Sequence, residues 1–461
     1  MKLTTKGKVG YGLGAVAKDM VYMLSASYVL YYFQDLLGVN AVAMGIILLV
    51  ARVFDAFNDP LMGVIVAKTR TKWGKFRPWL MIGTITNAIV LYMMFSCWAK
   101  TGGGKVAFAA VFYILWGVTY TMMDIPFWSM IPAMTEGGKD REAMSQLGRT
   151  CAGVGSALIT ILTMKIVPML GNGNEPLGFS RFALIIAVIF VVFEAICCLS
   201  LDEDVTAHYE ATSVKEMFRS LVQNDQAMAV VITIVLVNSA IYVTSNLVIY
   251  FFKYDFGGAN WNDAYVIFNT VGGACQILAM MILFPLLRKF FTTIKVFYIS
   301  FFMAVIGYGV LLILAFTNMS NVTILLIPGF FIFCAVGMMN VIVTIFLANT
   351  VDYGELKNHR RDESVIFSMQ TFVVKLASGM AGLIASLCLA VCNLSSDTAA
   401  AGTAAPYAVI VLRMVMTILP AAGLFVAILV FRKRYILTDE KIEEISAQVK
   451  ANRLADAEKQ S

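Results

Sequence analysis

The chain has 461 residues, 59% of them hydrophobic and only 14% charged, with a mean hydropathy of +0.79 and a formal net charge of +6. A soluble protein carries nearer a quarter of its residues as charge, so this composition excludes a soluble globular domain and points to an integral membrane protein. Eight cysteines lie in or beside apolar runs without metal-ligand spacing, which excludes a disulfide scaffold and makes them packing residues.

The basic N-terminus, Met1 to Lys8, leads into a hydrophobic segment that holds Lys18 and Asp19 and lacks a small-residue cleavage site. It reads as a retained first helix, not a signal peptide. Twelve apolar segments reach the roughly 20 residues needed to cross a bilayer: 10–37, 40–67, 77–98, 105–133, 142–170, 179–200, 226–253, 262–287, 293–317, 322–350, 362–391 and 405–433. Lysine and arginine gather in alternate connections, among them Lys68 to Arg77, Lys139 to Arg141, Arg288 to Lys295 and Lys357 to Arg361. The other connections hold only Lys100, Lys105, Arg181 and Lys253. The positive-inside rule then puts both termini in the cytoplasm of a multi-pass plasma (cytoplasmic) membrane protein, and no nucleic-acid partner is needed to explain the charge.

Segment six closes at Leu201, and a polar stretch follows before the apolar pattern resumes. This seam divides the chain into a six-helix bundle (1–201), a cytoplasmic middle loop (202–225), a second six-helix bundle (226–435) and a cytoplasmic tail (436–461). An internal echo supports the division. Lys139-Asp140-Arg141-Glu142 enters segment five, and Arg360-Arg361-Asp362-Glu363 enters segment eleven close to half a chain later. An all-α integral membrane protein of 12 transmembrane helices in two pseudo-symmetric bundles resembles the major facilitator fold, with substrate bound between the halves near the midplane.

Charged residues inside the spans carry the chemistry, because even lenient scales put the cost of each at about 2.5–3.5 kcal/mol at the bilayer centre. In segment one Asp19, beside Lys18, suits a polar cavity and accepts hydrogen bonds from ligand hydroxyls. Segment two holds Arg52, Asp55 and Asp59 within roughly 60° of one another on a helix, with Asn58 on the flank. Two carboxylates and an amide oxygen are hard ligands for a small cation or a proton, and one arginine leaves the face negative; the plainer reading is a charge cluster that glues helices. Segment four places Tyr120, Asp124 and Trp128 at i, i+4 and i+8, one stripe. A carboxylate between aromatic faces suits a sugar, whose hydroxyls donate and whose C–H face packs on a ring; without Asp124 the stripe is an aromatic core.

Segment five adds Arg149, a donor to ligand oxygens or a partner for an Asp, and segment eleven places Thr371 and Lys375 at i, i+4. Glu194, Lys165 and Arg413 lie nearer span ends and read as snorkelling or structural. The connections between segments two and three and between ten and eleven, with Arg141, Asp352, Glu355, Arg361 and Glu363 around them, carry mixed charge. They form either an ion-pair gate on the cytoplasmic side or ordinary positive-inside loops. The only histidines, His208 and His359, fall in connections, so no intramembrane histidine supports acid–base or metal catalysis, and the chain is not an enzyme.

Lys18-Asp19, Arg52…Asp55…Asn58-Asp59-Pro60, Trp73-Gly74-Lys75-Phe76, Tyr120-Thr121…Asp124-Ile125-Pro126-Phe127-Trp128 and Asp352-Tyr353-Gly354-Glu355 resemble the motifs of the glycoside–pentoside–hexuronide:cation symporters, the melibiose permease family. The resemblance runs from the N-terminus to segment twelve. It implies a cation site of Asp55, Asn58, Asp59 and Thr121, with Asp55 and Asp59 holding Na⁺ and Arg52 as charge partner. It also implies a sugar site of Lys18, Asp19, Tyr120, Asp124, Trp128 and Arg149, closed by Thr371 and Lys375. Val21 to Tyr28 is less aromatic than in melibiose permeases, so galactoside specificity does not carry over.

The expected function is symport of a glycoside or oligosaccharide with Na⁺, in preference to H⁺ or Li⁺, by alternating access. The partners are a small-molecule sugar, a monovalent cation and the lipid bilayer, with no cofactor beyond the transported cation, and the chain acts as a monomer. A cation-dependent lipid or lysolipid carrier and an uncoupled sugar facilitator are the alternatives on this fold.

Overall fold

The computed structural model describes residues 4–135, 138–201, 219, 221–257, 261–317, 319, 321–358, 361–392 and 405–460. Most of the expected middle loop (202–218 and 220), with His208, His359 and Arg360, lies outside the described residues. Among them all regular structure is helical. The helices are α1 (Thr5–Leu30), α2 (Ala41–Lys68), α3 (Arg77–Met94), α4 (Gly102–Met134), α5 (Gly138–Gly171) and α6 (Glu175–Ser200), followed by α7 (Asp225–Tyr250), α8 (Trp261–Leu278), α9 (Thr293–Thr317), α10 (Val322–Asn358), α11 (Glu363–Val391), α12 (Pro406–Arg434) and α13 (Asp439–Gln460).

Helix is what hydrocarbon demands, because it satisfies every backbone amide within one segment. The starts are set locally. Thr4 caps α1 by accepting from the Gly7 amide at 3.1 Å, Thr101 caps α4 through Gly104 at 3.1 Å, and Asn174 caps α6 through Leu177 at 3.2 Å. Nine described helices are long and apolar enough to cross a membrane, against the twelve spans expected from sequence. The three outside that set are α1, α2 and α3, and the first two carry Lys18, Asp19, Arg52, Asp55 and Asp59.

One constant offset along the chain repeats the architecture. It carries Ala41, the start of α2, onto Trp261, the start of α8, and Gly102, the start of α4, onto Val322, the start of α10. The π turn Tyr31–Leu36 that ends α1 maps onto the π turn Phe251–Phe256 that ends α7. Arg141 maps onto Arg361 by the same offset.

Contacts divide the chain into two compact units. The first comprises residues 1–224, 348–372 and 442–461, and the second 225–347 and 373–441. In the first unit α1 packs on α5 and α6, α3 on α4 and α6, and α2 on α4. The α1–α5 approach needs Gly155, whose missing Cβ makes room for the Val16 backbone. In the second unit α12 packs on α7 and α9. Residues 348–358 and 361–372, which end α10 and begin α11, belong to the first unit.

Candidate functional site

Lys18 is the hub of the first unit. It is 3% exposed, and its Nζ donates to Asp124 Oδ1 at 2.8 Å, to Asp19 Oδ2 at 3.1 Å and to the Tyr120 hydroxyl at 3.2 Å. An ammonium this deep needs such company, since unpaired burial of a charge is prohibitive. The same Asp124 oxygen accepts from Trp128 Nε1 at 3.1 Å, and Lys18 sits 4.9 Å from the Trp128 ring centre. Arg149 of α5 stacks over that ring at 4.0 Å, a cation–π contact. Ser156 of α5 donates to Asp19 at 3.4 Å.

The structure therefore brings Lys18, Asp19, Tyr120, Asp124, Trp128 and Arg149 together. Lys18, expected as one sugar ligand among several, cross-links both carboxylates. Aromatic residues extend the wall: Trp116 stacks on Tyr120 at 5.2 Å, and Tyr22 of α1 lies 5.4 Å from Tyr120. Sequence reasoning missed Trp116, although Trp116, Tyr120 and Asp124 share the i, i+4 spacing that identified the stripe; Tyr22 falls in the Val21 to Tyr28 stretch already singled out.

A second cluster stands on α2. Asp59 is wholly buried, and its Oδ1 accepts from the Thr121 hydroxyl of α4 at 2.9 Å. Asp55, 7% exposed and one turn earlier, lies against α4 at Gly117, where an added Cβ would come within 3.2 Å of its Oδ1. Arg52 keeps company with Tyr22, Tyr113 and Asp55. The buried Asn58 Nδ2 has no hydrogen-bond partner among the described residues. Among those residues no group of three or more His, Cys, Asp or Glu gathers as a multivalent-metal site would. Two carboxylates with an amide and a hydroxyl suit a monovalent cation or a proton.

Thr371 and Lys375 are both half-buried on α11. The Thr371 hydroxyl donates to Phe367 in its own helix at 3.3 Å and belongs to the first unit, whereas Lys375 belongs to the second. Glu194 does not snorkel. It is fully buried in α6, its Oε2 facing Gly14 of α1, where a Cβ would lie 3.0 Å away. Arg413 is held by both oxygens of Asp255 at 2.6 and 2.7 Å, an ion pair for which the sequence reading supplied no partner.

The residues expected at the gate assemble into one network inside the first unit. Asp352 lies between Arg141 at 2.7 Å and Arg361 at 2.9 Å. Arg361 also pairs with Glu355 at 2.7 Å and with Glu363, and donates to the Pro132 carbonyl. Lys75 reaches the other oxygen of Glu363 at 3.2 Å. Burial works against the Arg361 charge, but the carboxylates of Glu363, Asp352 and Glu355 outweigh it and hold this guanidinium well above its usual range.

A family model described as MFS/sugar transport protein matches residues 10–439. The inner membrane symporter YicJ of Escherichia coli (strain K12) is 27% identical over 97% of this chain and 95% of its own. A lactose permease of Lactobacillus delbrueckii subsp. bulgaricus is 27% identical over 97% of this chain and 73% of its own. The solved structure of the proton:xylose symporter XylE, bound to 6-bromo-6-deoxy-D-glucose, aligns with a TM-score of 0.64 at 13% identity, covering 96% of this chain and 98% of that one. That likeness concerns the fold, which is the major facilitator fold. With the family model spanning nearly the whole chain, the protein belongs to the MFS/sugar transport protein family and is a transporter, not an enzyme.

Proposed function

We propose that the protein is a cation-coupled symporter of a glycoside or oligosaccharide, working by alternating access. The observation that carries this reading is the pair of clusters served by adjacent residues of α4. Tyr120 belongs to the Lys18–Asp19–Asp124 cluster, and Thr121 to the Asp59 cluster. Asp19, Asp124 and Arg149 are positioned to hydrogen-bond sugar hydroxyls, with Trp128 and Tyr120 as ring faces. Asp55, Asn58, Asp59 and Thr121 are the oxygen set for Na⁺, taken in preference to H⁺ or Li⁺, and this transported ion is the only cofactor. Thr371 completes the sugar site from the first-unit part of α11.

Cation binding neutralises Asp55 and Asp59 and stiffens α4 at Thr121, which organises Tyr120 one residue away. By linkage the sugar must then favour the cation equally. The Arg141–Asp352–Arg361–Glu363 network is the cytoplasmic latch, with both termini on that side of the plasma membrane and the monomer as the working unit. The names of relatives support the saccharide: a lactose permease is among them.

The test is uptake of labelled galactosides, glucosides, xylosides and glucuronides into proteoliposomes, with and without an inward Na⁺ gradient, at two pH values. One sugar whose uptake rises with the gradient and disappears in Asp55→Cys is the expected result. Saccharide uptake that ignores Na⁺, Li⁺ and pH alike would contradict coupling, and no saccharide uptake at all would contradict the cargo.

A further inference from the structure

Helix α3 supplies no residue to either cluster, yet it grips the turn of α4 that serves both. Within residues 116–121, Trp116 stacks on Tyr120 at 5.2 Å, Gly117 lies against Asp55, Tyr120 receives Lys18 at 3.2 Å and Thr121 donates to Asp59 at 2.9 Å. Thr119 meets α3 instead.

The residue it meets there is Asn87, which is wholly buried and spends both amide hydrogens on this turn. Its Nδ2 donates to the Trp116 carbonyl at 3.0 Å and to the Thr119 hydroxyl at 2.9 Å. The Thr119 hydroxyl donates in turn to the Leu115 carbonyl at 2.8 Å. Helix spacing assigns the Trp116 carbonyl to the Tyr120 amide, so Asn87 acts on the same carbonyl as the residue that holds Lys18. One turn earlier, Gly83 brings the α3 backbone onto α4: an added Cβ would lie 2.7 Å from the Met123 nitrogen and 2.9 Å from the Met122 carbonyl carbon. Gly83 and Asn87 stand at i, i+4 on one face, so α3 holds α4 at two successive points.

Asn87 Oδ1 is buried and has no hydrogen-bond partner among the described residues. An unmet buried acceptor lowers stability, and an apolar residue of the same shape would avoid that loss. Packing alone therefore does not account for the amide, whereas its two donated bonds do.

We propose that Asn87 is a positioning residue for coupling, which pins the 116–121 turn to α3 through the Trp116 carbonyl and the Thr119 hydroxyl. Coupling travels through packed and hydrogen-bonded elements that move together. With the turn pinned, a cation that draws on Thr121 reorients Tyr120; with the turn loose, the same pull is absorbed as slack between α3 and α4. This inference rests on the symport reading above.

Equilibrium dialysis of the purified full-length chain tests it, using the labelled saccharide that the native chain takes up from the galactoside, glucoside, xyloside and glucuronide panel. The readout is the ratio of sugar Kd without cation to sugar Kd at saturating Na⁺, with Li⁺ or a pH step in its place where Na⁺ has no effect. Asn87→Ala is expected to lower that ratio by about threefold or more, while the cation-free sugar Kd stays within about twofold. Thr119→Val removes one of the two bonds and is expected to lower the ratio less, and Thr119→Ser keeps the hydroxyl and the native ratio. Leu91→Ala, one turn further along α3 and also wholly buried, is expected to lower Tm with the ratio unchanged. A native ratio in Asn87→Ala overturns the proposal, and so does a ratio lost as fully in Leu91→Ala. Should Asn87→Ala fail to fold, Thr119→Val carries the test, and a native ratio there overturns the proposal. A native chain that binds the sugar equally well with and without every cation overturns the coupling reading, and this role with it.

Discussion

Tyr120 and Thr121 are consecutive residues of α4 that serve different clusters: Lys18 donates to the Tyr120 hydroxyl at 3.2 Å, while the Thr121 hydroxyl donates to Asp59 at 2.9 Å. Successive side chains on a helix point about 100° apart, so one turn of backbone faces both α1 and α2. A shift of that turn is felt by both clusters.

Thr121→Ala removes the hydroxyl from a wholly buried carboxylate, a loss of about 1–3 kcal/mol. The expected result is a rise of roughly tenfold in the half-saturating cation concentration, with the maximal sugar uptake rate preserved at saturating cation. Thr121→Ser keeps the hydroxyl and is expected to stay within about twofold of the native chain. Cation titration of sugar uptake in proteoliposomes checks both, and equal effects of alanine and serine would count against the hydroxyl.

Lys18→Gln leaves the buried Asp124 and the half-buried Asp19 without their shared ammonium. Removing one member of a buried ion pair costs about 3–5 kcal/mol, so a marked drop in Tm and loss of uptake are expected. Asp124→Asn in the same chain removes one stranded charge and is expected to recover much of the Tm without restoring uptake. Thermal unfolding in detergent, paired with uptake, separates the two roles.

The sequence makes the charges inside the spans legible because hydrocarbon makes Asp19, Asp55, Asp59 and Asp124 costly enough to require a partner or a cavity. It does not reveal which of them Lys18 would join. That choice depends on the approach of α1 to α4 and α5, set by packing details such as Gly155. Glu194 shows the same gap. Its place near a span end left snorkelling and a structural role open; α6 turns it towards Gly14, where the missing Cβ admits the carboxylate. Asn238, Tyr242 and Asn340, which line a cavity of about 250 Å³ in the second unit, escaped notice for the opposite reason: neutral amides and phenols in a membrane helix raise no alarm, and only the repeat offset relates them to Lys18, Tyr22 and Tyr120.

In the ion-pair chain Lys75–Glu363–Arg361–Asp352–Arg141, both Glu363 and Asp352 touch two cations. Losing one arginine therefore leaves each of these carboxylates a remaining partner. Arg141→Ala and Arg361→Ala are each expected to cost less stability than their combination, with a coupling of about 0.5–3 kcal/mol. Additive losses in a double-mutant cycle of unfolding free energies would show that the chain does not act as a unit. If the network is the latch, Asp352→Asn slows uptake with little change in the sugar KM, because it touches neither ligand cluster.

Arg413 and Asp255 form a bidentate pair in the second unit, with side-chain exposures of 16% and 2%. Asp255 lies in the π turn that mirrors the one after α1, so the pair ties α12 to the turn that follows α7. Neither residue belongs to the charged clusters of the first unit. Arg413→Ala strands a nearly buried carboxylate and is expected to destabilise the protein by about 3–5 kcal/mol. The companion Arg413→Met/Asp255→Leu replaces both charges with apolar groups and is expected to return most of that loss, since an apolar pair in place of a buried ion pair is often neutral or stabilising. Cation dependence of uptake by the double variant should match the native chain. A changed half-saturating cation concentration would instead draw the pair into coupling, which its position at the π turn gives no reason to expect.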